Sequence, residues 1–162
     1  MKYSELFEKI LPIILEHEGG FSDDLVDLGG ATNFGISQRS FPDEDIKNLT
    51  IDRAKEIYWE KYWQPMKLDS INDQESALEL FDMGVNAGIR NATLIAQKIV
   101  KAMPDGILGP KTVFAINDYG TKFVTEYKEA RRMYYVDITI NRPANIKFLK
   151  GWLRRVYNTK FK

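Results

Sequence analysis

Apolar residues recur at helical spacing along most of the chain and define its first predicted element. Between about Ser4 and Glu18 they fall three or four residues apart, which predicts a helix with a kink near Pro12. These apolar positions are Leu6, Ile10, Ile13 and Ile14. Gly19 and Gly20 follow directly and are expected to end the helix.

The next segment, residues 21–40, has no sustained helical period. It is rich in Gly, Asp, Asn and Thr, which predicts an irregular loop or a small β-hairpin with a short strand within residues 31–37. Loops held on rigid helices often carry functional groups, and this one has three aspartates after a helix that ends in glutamate. We therefore expect the active site to involve this segment.

The rest of the chain returns to a helical pattern. One helix is predicted from Thr50, a good N-cap, to a stop at Pro65, and another begins at Asn72 with Glu75 three residues on and closes at Gly88. Further helices are predicted over residues 92–103, 110–117, 121–140 and 145–157. This order predicts a mainly α fold with a small β element.

Length and composition narrow the class of protein. A chain of 162 residues with 44% hydrophobic and 28% charged residues predicts one compact globular domain. There is no cysteine and a single histidine, His17, so thiol nucleophiles and cysteine- or histidine-rich metal centres are excluded. We expect no metal and no cofactor, and acid–base chemistry carried by carboxylates, amines or phenols.

Charge is unevenly distributed although the formal net charge is zero. Residues 1–50 carry 4 basic and 10 acidic side chains, whereas residues 121–162 carry 11 basic and 3 acidic ones. A solvated helix face explains the basic end most simply, and attraction to an anionic cell wall is the functional alternative. We expect no nucleic-acid partner, because no nucleic-acid-binding motif accompanies the basic stretch.

Glu18, Asp27 and Thr32 form the candidate catalytic set. Glu18 lies at a predicted helix C-terminus, where the helix dipole should raise its pKa and suit it to act as a general acid. Asp27 follows on a loop, and the Thr32 hydroxyl could bind a water. These are the groups that glycoside hydrolysis needs, a protonated carboxyl and an ionised carboxylate. The structural alternatives are that Glu18 is only a helix-end carboxylate and that Thr32 is only a strand residue. For Asp27 the alternative is a turn former beside Gly29 and Gly30.

Two sequence blocks, residues 17–21 (HEGGF) and 27–36 (DLGGATNFGI), resemble the signature of glycoside hydrolase family 108. Further blocks stand in the order of that family's pattern: Tyr62-Trp63, Phe81-Asp82 with Asn86 and Gly88, Asp105-Gly106 with Gly109 to Thr112, Arg132, and Gly151-Trp152 with Arg155. The family contains muramidases of phage endolysins and bacterial secretion-associated proteins. The resemblance implies a lysozyme-like helical domain and a muramidase with Glu18 as catalytic acid.

The resemblance also implies an organisation for the whole chain. We expect a single compact lysozyme-like domain over residues 1–162, with the catalytic signature in 1–90 and a helical, peptidoglycan-binding-like part in 91–162. The implied reaction is cleavage of the β-1,4 bond between N-acetylmuramic acid and N-acetylglucosamine. Whether the product retains or inverts its configuration depends on the carboxyl separation, which sequence does not give.

The second carboxylate falls in a stretch where the chain departs from the family pattern. Leu25 and Leu28 stand where the family often has prolines, and Asp23 stands where an asparagine is usual. Similarity to the Glu, Asp, Thr arrangement of phage-type lysozymes suggests Asp27 and Thr32. The less restricted loop keeps Asp24 open as the alternative second carboxylate.

Four further residues are assigned to substrate binding: Asn33, Asp82, Asn86 and Trp63. Asp82 and Asn86 are four apart on one predicted helix and could line a sugar cleft, or could instead hold that helix to its neighbours. Trp63 could stack on a sugar, or belong to the core with the aromatic residues before it. For residues 105–112, a structural turn and helix start is favoured, and nucleotide binding is rejected.

A catalytically silent peptidoglycan-binding or secretion scaffold is the alternative to the enzyme. In either case peptidoglycan glycan strands are the expected partner, and the chain is expected to be a monomer without stable membrane insertion. The sequence shows no signal peptide pattern, which predicts synthesis in the cytoplasm and delivery to the periplasm or cell wall by a holin or a secretion system. The host and the preferred cross-link chemistry are left open.

Overall fold

The computed structural model describes residues 2–18 and 30–162, which divide into two compact units, Met1–Lys61 and Tyr62–Lys162. The first unit begins with helix α1, Glu5–Glu18, as the sequence predicted. Ser4 starts it, because its hydroxyl accepts a hydrogen bond from the Phe7 N–H at 3.2 Å. The apolar face of α1 is buried and comprises Phe7, Ile10, Leu11 and Ile14.

A two-stranded antiparallel hairpin is the β element of the first unit. Strands β1, Thr32–Asn33, and β2, Ile36–Ser37, pair so that Thr32 lies opposite Ser37 and Asn33 opposite Ile36. The prediction of a small hairpin after the first helix is therefore confirmed. Ile36 is buried, so the hairpin contributes one side chain to the core of this unit.

Helix α2, Ile51–Tyr58, closes the first unit. Thr50 is its N-cap, as predicted, and accepts a hydrogen bond from the Arg53 N–H. The helix continues as a π-helix, Trp59–Trp63. An ion pair of 2.6 Å joins Lys55 of α2 to Glu8 of α1. The two helices are thus connected by charge as well as by their buried faces.

The second unit is built almost wholly of helices. After the 3₁₀ helix Leu68–Ser70 come α3, Gln74–Ala87; α4, Ile89–Val100; α5, Pro110–Tyr119; α6, Lys122–Asn141; and, following the 3₁₀ helix Pro143–Asn145, α7, Ile146–Asn158. The predicted start of α3 was wrong by one residue. Its cap is Asp73, whose carboxylate accepts from the Ser76 N–H at 2.9 Å, because Asn72 instead donates its N–H to Asn117.

Helix α3 is buried along most of its length, from Ser76 to Gly84, and lies at the centre of the second unit. The buried residues of α6 fall at every fourth position and form one stripe along the helix. They are Phe123, Tyr127, Arg131, Tyr135 and Thr139. The predicted mainly α fold with a small β element is confirmed. Within the described residues, none of the helices has the length and apolar character needed to span a membrane.

Candidate functional site

The candidate catalytic residues belong to the first unit. Glu18 is the last residue of α1, which confirms the predicted extent of that helix. Asp27 and its alternative Asp24 lie outside the described residues. The description resumes at Gly30, where φ is +70°, and Thr32 follows on β1. One compact unit therefore contains the helix that ends at Glu18 and the strand that bears Thr32.

The side chain of Asn33 is used to hold the hairpin. It is buried, and its amide donates a hydrogen bond of 3.2 Å to the carbonyl of Ile46. A buried amide that already donates inside the unit has a structural task. Asn33 thus anchors β1 to the segment before α2, and its contact with substrate stays a prediction.

The hairpin turn has an uncommon backbone. Both central residues, Phe34 and Gly35, have positive φ, 50° and 77°, as a type I′ turn requires. The Tyr58 hydroxyl donates a 2.6 Å hydrogen bond to the Phe34 carbonyl. Tyr58 is itself only 1% exposed. The turn that follows Thr32 and Asn33 is therefore fixed to a buried residue of α2.

Trp63 lies in the core of the second unit. It is completely buried, and its ring meets that of Phe81 edge-on at a centroid distance of 5.1 Å. A ring enclosed on all sides leaves no face for a sugar. The predicted stacking role is corrected to a packing role, which was the alternative for this residue.

Asp82 is also completely buried, and its carboxylate is occupied by ion pairs. Arg131 of α6 approaches Oδ2 at 2.6 Å, and Arg155 of α7 approaches Oδ1 at 2.8 Å. The Thr159 hydroxyl donates to Oδ2 at 3.0 Å. The predicted sugar contact is replaced by a contact between helices, because this completely buried carboxylate already accepts from three protein side chains.

Asn86 takes part in the same arrangement. Its carbonyl oxygen accepts a 3.3 Å hydrogen bond from Arg155, and its amide is within hydrogen-bond distance of the Tyr135 hydroxyl. These contacts join α3 to α6 and α7. The structure therefore favours the alternative in which Asp82 and Asn86 hold their helix to its neighbours.

Arg131 and Glu79 complete what we call the ion network: Glu79, Asp82, Lys128, Arg131 and Arg155. Glu79 pairs with Arg131 at 2.7 Å and with Lys128 at 2.5 Å. Sequence analysis missed Arg131, because the family pattern directed attention to Arg132, which is more than a third exposed and pairs with Glu129. The stripe of every fourth residue in α6 was the signal that would have found it.

The net pKa shifts of the two carboxylates in the ion network have opposite directions. Burial alone would raise the pKa of Asp82, but the guanidinium groups of Arg155 and Arg131 hold it well below its usual value. Burial raises the pKa of Glu79, and the attraction of Arg131 and Lys128 offsets this effect only in part. Because these groups are enclosed and paired, the ion network serves the fold of the second unit.

The segment between α4 and α5 is held by one buried glutamine. Gln97 donates to the Asp105 carboxylate at 2.8 Å and to the Thr112 hydroxyl at 3.1 Å, and accepts from the Gly106 N–H at 3.0 Å. Pro110 is the first residue of α5, as predicted. A cavity of about 600 Å³ lies beside this segment, lined by residues including Met103, Ile107 and Lys111.

Comparison with known proteins divides the chain at a later point than the two compact units do. Residues 11–88 match the family described as glycosyl hydrolase 108, and residues 91–157 match a predicted peptidoglycan domain. The structure of SagA from Brucella abortus is similar, with 28% identity, 94% of this chain and 90% of that chain covered, and a TM-score of 0.83. No curated protein matches. The fold is lysozyme-like, and the two matched regions support a peptidoglycan hydrolase in general.

Proposed function

We propose that the chain is an N-acetylmuramidase of glycoside hydrolase family 108, the family whose model matches residues 11–88. The bond cleaved is the β-1,4 link between N-acetylmuramic acid and N-acetylglucosamine in peptidoglycan. The observation that carries the proposal is that α1 extends to Glu18 within the compact unit that also presents Thr32 on the hairpin. The matched family region includes both residues.

In this mechanism Glu18 is the general acid. It is the last residue of α1, and a general acid must hold its proton when the substrate binds. That carboxyl gives its proton to the glycosidic oxygen as the bond to the sugar breaks. Proton transfer of this kind contributes roughly 10²- to 10⁴-fold to the rate.

We assign to Asp27 the stabilisation of the positive charge that develops on the sugar. An ionised carboxylate near the anomeric carbon stabilises an oxocarbenium-like transition state or activates the attacking water. The Thr32 hydroxyl is proposed to hold that water. Its strand position is supported by pairing with β2 and by the anchored turn beside it. Asp24 is the alternative second carboxylate.

The helical part over residues 91–157 is proposed to contact peptidoglycan outside the reacting bond. Its match to a predicted peptidoglycan domain supports this role. The excess of basic residues after position 120 would add attraction to an anionic wall. The chain would then act where peptidoglycan lies, in the periplasm or the cell wall.

The test is mass spectrometry of the soluble products that purified peptidoglycan yields with the native chain and with Glu18→Gln. Fragments with reducing N-acetylmuramic acid ends, lost in the variant, are the expected result. Glu5→Gln is the matched control, because Glu5 lies on the same helix with its side chain 86% exposed, and it should keep activity.

Two other results would contradict the proposal. Reducing N-acetylglucosamine ends would identify a glucosaminidase. No fragments from the native chain, on walls of several cross-link types, would favour a catalytically silent scaffold. Asp27→Asn and Asp24→Asn, compared under the same conditions, identify the second carboxylate, since only the variant of that residue should lose most of the activity.

A further inference from the structure

The hairpin turn contains a residue that its backbone conformation disfavours. Type I′ turns require positive φ at both central positions, and asparagine followed by glycine fits them best. Here the first central position is Phe34, with φ of 50°. A bulky side chain in this region of backbone space is a steric outlier. Gly35 fills the second position without such strain.

Neighbouring groups impose this conformation on Phe34. The buried Tyr58 hydroxyl donates to the Phe34 carbonyl, and the Asn33 amide fixes the preceding residue to Ile46. On the other side of the turn, the Gln38 N–H donates to the Ala31 carbonyl at 2.8 Å and closes the hairpin. Strained residues that are held so firmly from several directions are found most often at functional sites.

The phenyl ring is only partly enclosed by its own unit. Phe34 is half-buried, whereas the strand residue that follows the turn, Ile36, is almost completely enclosed. Within the described part of the chain, the Phe34 ring has no aromatic partner, in contrast to the ring contacts of Tyr3, Phe7 and Trp59. Among the described residues, Phe34 is thus neither fully enclosed nor part of an aromatic cluster.

We propose that the ring of Phe34 is a substrate-binding group that packs against the apolar face of a sugar in the glycan strand. The inference rests on the proposed function, because it places the sugar beside Thr32, two residues away along the strand. Aromatic rings offer apolar area with little loss of side-chain freedom, and sugar rings present C–H groups on one face.

The test uses substitutions that separate turn strain from sugar contact. In Phe34→Asn the turn gains its preferred residue, so the apparent melting temperature should rise by about 2 to 4 °C. The lost ring contact should raise KM for soluble, uncross-linked glycan strands by about tenfold, with kcat changed little. Phe34→Tyr should keep the native KM, since the ring is retained.

A second variant and a binding measurement complete the design. Phe34→Gly also relieves the strain and should show the same rise in KM. Titration of the same glycan strands into Glu18→Gln and into the double variant Glu18→Gln with Phe34→Asn measures affinity without turnover. Unchanged affinity on removal of the ring would overturn the role of Phe34. If the native chain produces no fragments but its glycan affinity depends on Phe34, the muramidase proposal fails and the binding proposal stands.

Discussion

The hairpin of the first unit and the ion network of the second hold polar groups in opposite ways. The hairpin has two residues in each strand, and a few hydrogen bonds to buried partners keep its turn in a strained conformation. In the ion network, completely buried carboxylates of α3 pair with Arg131 of α6, which is also completely buried, and with Arg155 of α7, which is largely buried. Hydrogen bonds to neutral groups thus fix a turn in the first unit, and ion pairs join helices in the second.

The largest expected effect is on the ion network. Replacing Arg131 with methionine leaves Glu79 and Asp82 without their shared partner in a buried place, which should cost about 3 to 5 kcal/mol of unfolding free energy. Denaturant unfolding followed by circular dichroism measures the loss. Arg132→Met is the matched control, and it should change stability by less than about 0.5 kcal/mol because its ion pair is exposed.

Acid should weaken the second unit through Asp82. Its pKa is lower in the folded chain than in the unfolded one, so its contribution is complete above the unfolded value near 3.9 and is lost as the pH falls toward the folded value. Folding raises the pKa of Glu79, so its contribution to stability increases as the pH falls, opposite to that of Asp82. In stability measured from pH 6 to 2, Asp82→Asn should flatten the acid loss and Glu79→Gln should steepen it. Equal slopes of stability against pH in the two variants would contradict the opposite pKa shifts of Asp82 and Glu79.

A smaller effect is expected for Tyr58, which fixes the turn of the hairpin. Tyr58→Phe removes the hydrogen bond to the Phe34 carbonyl and should cost about 1 to 2 kcal/mol. Because this bond fixes the turn after Thr32, peptidoglycan hydrolysis should fall by more than the loss of folded protein explains. Activity per folded molecule, measured well below the melting temperature, tests this. A loss of stability alone would leave the turn without a role in positioning.

The smallest effects are expected when one helix cap is removed from each unit. Thr50→Ala and Asp73→Ala each remove a side chain that accepts from a backbone N–H, and each should cost about 1 kcal/mol. The Asp73 change should leave hydrolysis per folded molecule unaltered. If Thr50→Ala lowers hydrolysis per folded molecule, the start of α2 also contributes to positioning the site. Thermal unfolding and a product assay on the same samples give both values.

Helical spacing and turn chemistry were enough to predict most of the fold. The predicted helix through Glu18, the hairpin around Thr32 and the cap at Thr50 all follow from local preferences, and local preferences survive in the folded chain. The cap of α3 moved from Asn72 to Asp73 because Asn72 is engaged by a residue far along the chain. Contacts of that kind leave no local signature.

The sequence does not show which of the candidate site residues are buried. Asp82 and Trp63 have side chains suited to sugars, and only their tertiary neighbours show that both are enclosed. Arg131 could have been found, since it falls in a regular stripe of large residues on α6. Its carboxylate partners lie about fifty residues earlier in the chain, and no spacing rule connects them.

The buried stripe of α6 also constrains how this chain can change in length. Residues four apart on an α-helix are rotated by about 40° from one another, so the stripe winds around the helix. Tyr127 thereby reaches the Ala92 carbonyl of α4, Arg131 reaches α3, and Tyr135 stacks on Trp152 of α7. Inserting or deleting a single residue in the middle of α6 would rotate all later contacts by about 100°. Natural variation in length should therefore fall in the connections between helices and spare α6.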